Sequence, residues 1–278
     1  MESAPPAEIL DAFDLARPRF VMRTGLASIW RVDMGGEAGA LKLYHTGRLG
    51  NEAAGLRYMR ATADRGSVPV LAARGDALVT RWLPGPSLGD LVRGGQDRVA
   101  ASALLVAARR LHSVELPAAG YPLLSDWFKA LFALRFGAGI APGPLALMER
   151  SQALAYELLS HPRGASVLHG DLHHDNIRLG ARTYQPFDAK GVVGERGYEL
   201  ANAFRNPSGA GALLRDPMRA LRLAEHWGAG LGEEPQRLLD WAAVKAALSI
   251  AWKTQGALRE SSDFPVLAAL WAARDRGV

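Results

Sequence analysis

Over residues 28–34 apolar and polar side chains alternate with period two, Gly35-Gly36 interrupts them, and residues 40–44 take the alternation up again. That pattern predicts an antiparallel hairpin, with a strand-like stretch running from about Phe20 to His45. A second hairpin is predicted from residues 68–72 and 77–82, split by Arg74-Gly75-Asp76. Between the two, residues 51–62 carry Ala53, Leu56, Tyr58, Met59 and Arg60 at helical spacing. Residues 1–16 read as a short leading helix or frayed end that stops near Pro18. Leu83-Pro84-Gly85-Pro86 is a stiff connector. Beyond it the period becomes helical: a capped start at Ser87 with Asp90 at the third position, then helices over 97–112, 123–136 and 144–160. Trp241, Val244, Leu248, Ala251 and Trp252 recur at helical spacing and are expected to be core. The expected fold class is α+β in two lobes: a small antiparallel sheet over 1–82 and a mostly helical part over 83–278.

Composition narrows the possibilities. The chain has 278 residues, 49% of them hydrophobic, so a sizeable core is available and wholesale disorder is excluded. It contains no cysteine, which removes disulfides, thiol nucleophiles and Cys-ligated metals. The N-terminus lacks the apolar segment of a secretory signal, and no apolar run is long enough to span a bilayer, so the default location is the cytoplasm and no membrane partner is expected. The net charge is +5. The basic residues are mostly Arg scattered along predicted helices, without like-charge runs, so nucleic acid is not an expected partner.

One helical-to-strand transition carries chemistry. VLHGDLHHDNIRL at 167–179 and FDAKG at 187–191 read as strand, loop, strand, turn, strand. Asp171, Asn176 and Asp188 then project hard oxygen donors from neighbouring strand ends. Mg²⁺ prefers such donors and takes one or two carboxylates together with substrate phosphates. An Asp, an Asn five residues on and an Asp after a hairpin suit phosphoryl transfer from ATP: one carboxylate faces the acceptor hydroxyl, while an amide and a carboxylate hold the metal. The competing reading, a metallohydrolase built on His169, His173, His174, Asp171 and Asp175, lacks a second histidine-rich half-site.

Lys42 is the only lysine among the first 128 residues. A compact ammonium in mid-strand is placed to meet nucleotide phosphates. The turn 23–28, ending at Ser28, would cover those phosphates. Backbone groups of Trp82, Leu83 and Pro84 would meet a purine, Pro84 only as an acceptor. Glu52 lies in the first turn of its helix, where it suits the helix dipole or pairs with Lys42.

HGDLHHDN at 169–176, FDAKG at 187–191 and GERGYELANAFRNP at 194–207 resemble the aminoglycoside 6-phosphotransferase (streptomycin 6-kinase) and hydroxyurea phosphotransferase family of the protein-kinase-like superfamily. RWLPGPSL at 81–88, the pair at 111–112 and WAAVKAALSIAW at 241–252 extend the match in order along the chain. The resemblance implies a two-lobed kinase fold. It makes Asp171 the catalytic base or hydroxyl-orienting carboxylate, Asn176 and Asp188 the Mg²⁺ ligands, Lys42 the ATP contact and Glu52 its partner. Ala189 stands where the family usually has proline, which keeps the ligand and relaxes only the backbone. The implied acceptor is an aminoglycoside such as streptomycin. A polycation needs carboxylates, for which Glu195, Glu199 and Asp175 are the candidates and Asp126 a remote one. The alternatives are a kinase of another small hydroxylated metabolite, or a nucleotide-binding protein without turnover.

Overall fold

A computed structural model describes residues 4–50, 52–137 and 139–277. The chain opens with helix α1 (Ala7–Ala12) and strands β1 (Leu15–Arg23), β2 (Ala27–Met34) and β3 (Glu37–Tyr44). Helix α2 (Glu52–Ala61) follows, then strands β4 (Val70–Arg74) and β5 (Ala77–Arg81). These strands make one antiparallel sheet in the order β1-β2-β3-β5-β4. The first strand begins three residues before Pro18, not after it, because an edge strand tolerates proline; the β1–β2 register slips between Ala16 and Arg19 to accommodate it. Asn51, expected to open the second helix, lies outside the described residues.

The helical part contains α3 (Leu88–Arg93), α4 (Asp97–His112), α5 (Leu124–Phe132) and α6 (Pro142–Ser160). Ser87 and Asp90 form the capping box expected of them. Two small antiparallel pairs come next: β6 (Ser166–Leu168) with β9 (Val192–Gly194), and β7 (Ile177–Leu179) with β8 (Tyr184–Pro186). Helices α7 (Gly211–Leu214), α8 (Pro217–Leu231), α9 (Pro235–Lys253) and α10 (Phe264–Arg276) complete the chain.

Burial explains the layering. Trp30, Val32, Leu41, Ala77 and Val79 form a small core on one face of the large sheet, closed over by Ile9, Leu10 and Phe13 of the leading segment. The other face joins a main core that runs through α2 and into the helices. Helix α9 is its axis, buried almost continuously from Arg237 to Ala251. A helix apolar on every side belongs inside other helices, and α9 contacts α5, α6, α8 and α10. The expected tryptophan stripe splits at its end: Trp241 is fully buried, whereas Trp252 is 42% exposed.

Candidate active site

The loop leaving β6 turns at Gly170, whose φ is +79°. A Cβ there would lie 2.8 Å from Val192 Cγ1 and 3.1 Å from Trp127 Cη2, so both conformation and space demand glycine. Buried His169 pins the turn: its Nδ1 accepts the Asp171 N–H at 3.3 Å and its Nε2 donates to the Phe187 carbonyl at 3.1 Å. Asp171 follows. One carboxylate oxygen accepts the Asn202 amide at 2.6 Å and the other the Asn176 amide at 3.3 Å. The Asn176 amide also donates to the Asp171 carbonyl at 3.0 Å.

Asp188 reaches the same place from the next hairpin. The Phe187 N–H donates to the Asn176 carbonyl at 2.9 Å, extending the β7–β8 pairing, so Asp188 comes one residue after the partner of Asn176. Its φ of +60° is a left-handed conformation. For a residue with a Cβ this costs about 1–2 kcal/mol, a strain that concentrates at functional sites. Lys42 Nζ lies 2.5 Å and Lys190 Nζ 3.6 Å from the Asp188 carboxylate. Burial pushes that carboxyl up, but the two ammonium groups outweigh it and hold it at about 2. The Asn176 amide nitrogen is committed to Asp171, which leaves its oxygen as the atom this residue could offer a metal alongside the ionised Asp188 carboxylate. Two hard oxygen donors of this kind fit Mg²⁺, with phosphate oxygens and water completing the octahedron.

Around this centre the structure redistributes several residues that the sequence assigned to substrates. Glu52 does not pair with Lys42; it takes Lys190 Nζ at 2.8 and 2.9 Å and the Tyr44 hydroxyl at 3.4 Å. The reason is close packing: a Cβ on Gly55 would meet the Ala189 carbonyl oxygen at 1.7 Å, so α2 lies directly on the Asp188–Lys190 segment. Glu195 is not an acceptor ligand either. It is 2% exposed, and Arg237 grips it through two 2.7 Å hydrogen bonds, with Trp241 Nε1 at 3.1 Å and the Arg163 N–H at 3.0 Å. Its neighbour Arg196 turns instead to Ser166. Glu199, 1% exposed, accepts the N–H groups of His169 and Gly170 at 3.0 Å each, with His112 Nε2 at 3.5 Å. It holds the Gly170 turn from behind. Asp175 ties the loop to Arg93 at 2.9 Å and to the Ser208 N–H at 3.1 Å.

On the nucleotide side, Ser28 is buried with its hydroxyl 3.1 Å from His45 Nε2. The Trp82 N–H donates to the Ala38 carbonyl at 2.8 Å, whereas Leu83 makes no backbone hydrogen bond among the described residues. The histidine-rich alternative loses its ligands to the core: His169 bridges two loops, and His174 is buried beside Trp227. Among the described residues no group of three His, Asp or Glu is arranged to hold a metal ion.

Two site residues escaped the sequence reading. Asn202, the amide on Asp171, lies in the GYELAN stretch, but nothing local marks it. Lys245 sits in the buried run of α9, 4% exposed, with Ser249 Oγ at 3.4 Å and the Trp252 ring centroid 4.5 Å away. Burial lowers it to about 8, with the Asp171 charge acting to raise it and Arg205 to lower it further. Its folded pKa lies below the ordinary 10.5. Between those values the folded chain binds fewer protons than the unfolded chain, so stability from this group rises with pH, and its burial penalty is complete below about 8. Lys245→Met is therefore expected to raise thermal stability by about 1–3 kcal/mol near pH 7. The advantage over the parent should shrink as pH climbs toward 10. Calorimetry of both proteins across that range checks it; a gain that does not vary with pH would refute it.

Residues 14–256 match the family model described as aminoglycoside/hydroxyurea antibiotic resistance kinase. A streptomycin 3''-kinase of Klebsiella pneumoniae is 35% identical over 220 residues, covering 74% of this chain and 77% of the relative. Among solved structures, a thermostable mutant of aminoglycoside phosphotransferase APH(4)-Ia in complex with ADP and hygromycin B superposes with a TM-score of 0.65 at 13% identity, covering 98% of each chain. A microcompartment-associated aminopropanol kinase also gives 0.65, at 17% identity, over 96% of this chain and 94% of its own. Among the described residues no helix is long and apolar enough to cross a membrane. The chain therefore belongs to the aminoglycoside/hydroxyurea antibiotic resistance kinase family, as a phosphotransferase of protein-kinase-like fold.

Proposed function

We propose that the protein transfers the γ-phosphoryl group of ATP to a hydroxyl of an aminoglycoside, streptomycin being the first acceptor to test. The observation that carries this reading is that Asp171, buttressed by two amides and still 23% exposed at its side chain, is bonded to Asn176, whose own backbone pairs with the hairpin that brings Asp188 to Lys42. Residues 1–82 form the nucleotide lobe and 83–278 the acceptor lobe. The purine lies against the 82–84 connector, where the free N–H is that of Leu83. Asn176 and Asp188 would hold Mg²⁺, which would neutralise charge on the triphosphate. Lys42 leaves Asp188 for the phosphates, Lys190 and Glu52 remain paired beneath it, and Asp171 orients the acceptor hydroxyl and takes its proton. Such a transition state asks mainly for position and charge stabilisation.

With Glu195 and Glu199 committed to the core, a second reading gains weight: an acceptor with fewer positive charges, such as a sugar or amino alcohol. A single ADP-release assay separates the two. With ATP and Mg²⁺, the proposal expects turnover on streptomycin to exceed turnover on simple sugars and amino alcohols; the reverse order selects the second reading. In the same assay Lys42→Ala is expected to raise the KM for ATP and lower kcat, each by about tenfold or more. Unchanged ATP kinetics would remove Lys42 from the site.

A further inference from the structure

Asp171 is reached by a chain of side chains that the reaction itself does not require. Asn202 Nδ2 donates to Asp171 Oδ1 at 2.6 Å. An amide can present either its oxygen or its nitrogen, and something must fix which. Here Arg205 Nη1 donates to the Asn202 oxygen at 3.1 Å. Guanidinium only donates, so the oxygen must face Arg205 and the NH₂ must face Asp171. Arg205 is anchored in turn by Asp263 at 3.1 Å, and Asp263 also takes Lys253 at 2.6 Å. The Asn202 carbonyl is held by the Asn206 amide at 2.8 Å, and the residue is 6% exposed. Nothing in this chain is free to turn without breaking a charged hydrogen bond.

We infer that Asn202, set by Arg205 and Asp263, is the positioning residue that orients the Asp171 carboxylate. The short bond engages Oδ1, while among the described residues Oδ2 meets only the 3.3 Å Asn176 contact and His173 Nε2 at 3.9 Å. Oδ2 is therefore the oxygen presented to the acceptor hydroxyl, and Asn202 chooses it. The device runs from the start of α10 to the catalytic loop, so the register of the C-terminal helices is transmitted to the reacting centre. The inference rests on the reading of Asp171 as the hydroxyl-orienting carboxylate.

The test is a kinetic double-mutant cycle on the full-length enzyme with ATP, Mg²⁺ and the acceptor that the ADP-release assay selects. Asn202→Ala is expected to lower kcat about 10- to 100-fold while the KM for ATP changes less than threefold, since a small misplacement of a reacting group has effects of this size. Arg205→Met should lower kcat less, and the two losses should fall short of additive. In an Asp171→Ala background, Asn202→Ala should have no further effect, because no carboxylate remains to orient. Asn202→Leu keeps the volume and removes the donor without adding charge; it should lose kcat like alanine, whereas a mere packing role would tolerate it. Thermal denaturation of each variant identifies any that fail to fold, and for those the leucine variant decides. Parental kcat in a folded Asn202 variant, or full additivity with Asp171→Ala, overturns the inference. If Asp171→Ala itself retains activity, the reading of Asp171 fails first and takes this inference with it.

Discussion

Asp171→Ala is expected to reduce kcat by about 10²–10⁴-fold while leaving nucleotide affinity close to the parental value. The magnitude follows from removing one group that acts on the transition state, on the order of 3–5 kcal/mol. The selectivity follows from geometry. Asp171 is bonded to Asn202 and Asn176, not to Lys42 or Asp188, so its loss leaves the nucleotide-side ion pairs in place. Equilibrium binding of a non-hydrolysable ATP analogue, measured beside single-turnover rates, separates the two effects. A folded Asp171→Ala protein that turns over at the parental rate would remove the residue from the chemistry.

The second large effect falls on stability. Glu195→Ala is expected to cost about 3–5 kcal/mol, because it strips the bidentate partner from Arg237 and leaves that guanidinium, 8% exposed, without its carboxylate. For a chain of this size that corresponds to a drop in Tm of roughly 10 °C or more. The Glu195 carboxyl feels burial most, yet Arg237, the Arg163 N–H and Trp241 outweigh that and keep it below its ordinary value. Its contribution is present above pH about 4.5 and is lost as pH falls through the lowered folded value. Calorimetry with acceptor KM at a permissive temperature checks this. A raised KM with an unchanged Tm would return Glu195 to the acceptor pocket.

These outcomes show which kinds of site were readable from residue order. The placement of the Asp171–Asp188 segment was legible because its parts are local: Asp171 and Asn176 are five apart, and Asp188 follows within a single hairpin. Lys42 was legible because alternation placed it in mid-strand in a chain that otherwise uses Arg. The roles of the acidic residues were not, since their partners are distant in sequence. Glu195 meets Arg237 from α9, Glu199 meets His112 at the end of α4, and Glu52 meets Lys190 instead of Lys42. Local spacing carries no information about such pairs. Asn202 was quoted within a motif yet not singled out, because an asparagine among apolar neighbours shows its purpose only when folding brings Asp171 to it. The start of β1 was misplaced because proline is read as a breaker, while an edge strand with a register slip accepts it.

The claim on which everything else depends is that phosphate passes from ATP to an alcohol over Asp171, with Asn176 and Asp188 gripping the magnesium-bound donor. It is tested most directly by mass spectrometry of streptomycin after incubation with the enzyme, ATP and Mg²⁺. The account predicts an acceptor heavier by one phosphoryl group with the parental protein, and almost none with Asp171→Ala or Asp188→Ala at equal folded concentration. Equal yields of phosphorylated acceptor from all three proteins would contradict it.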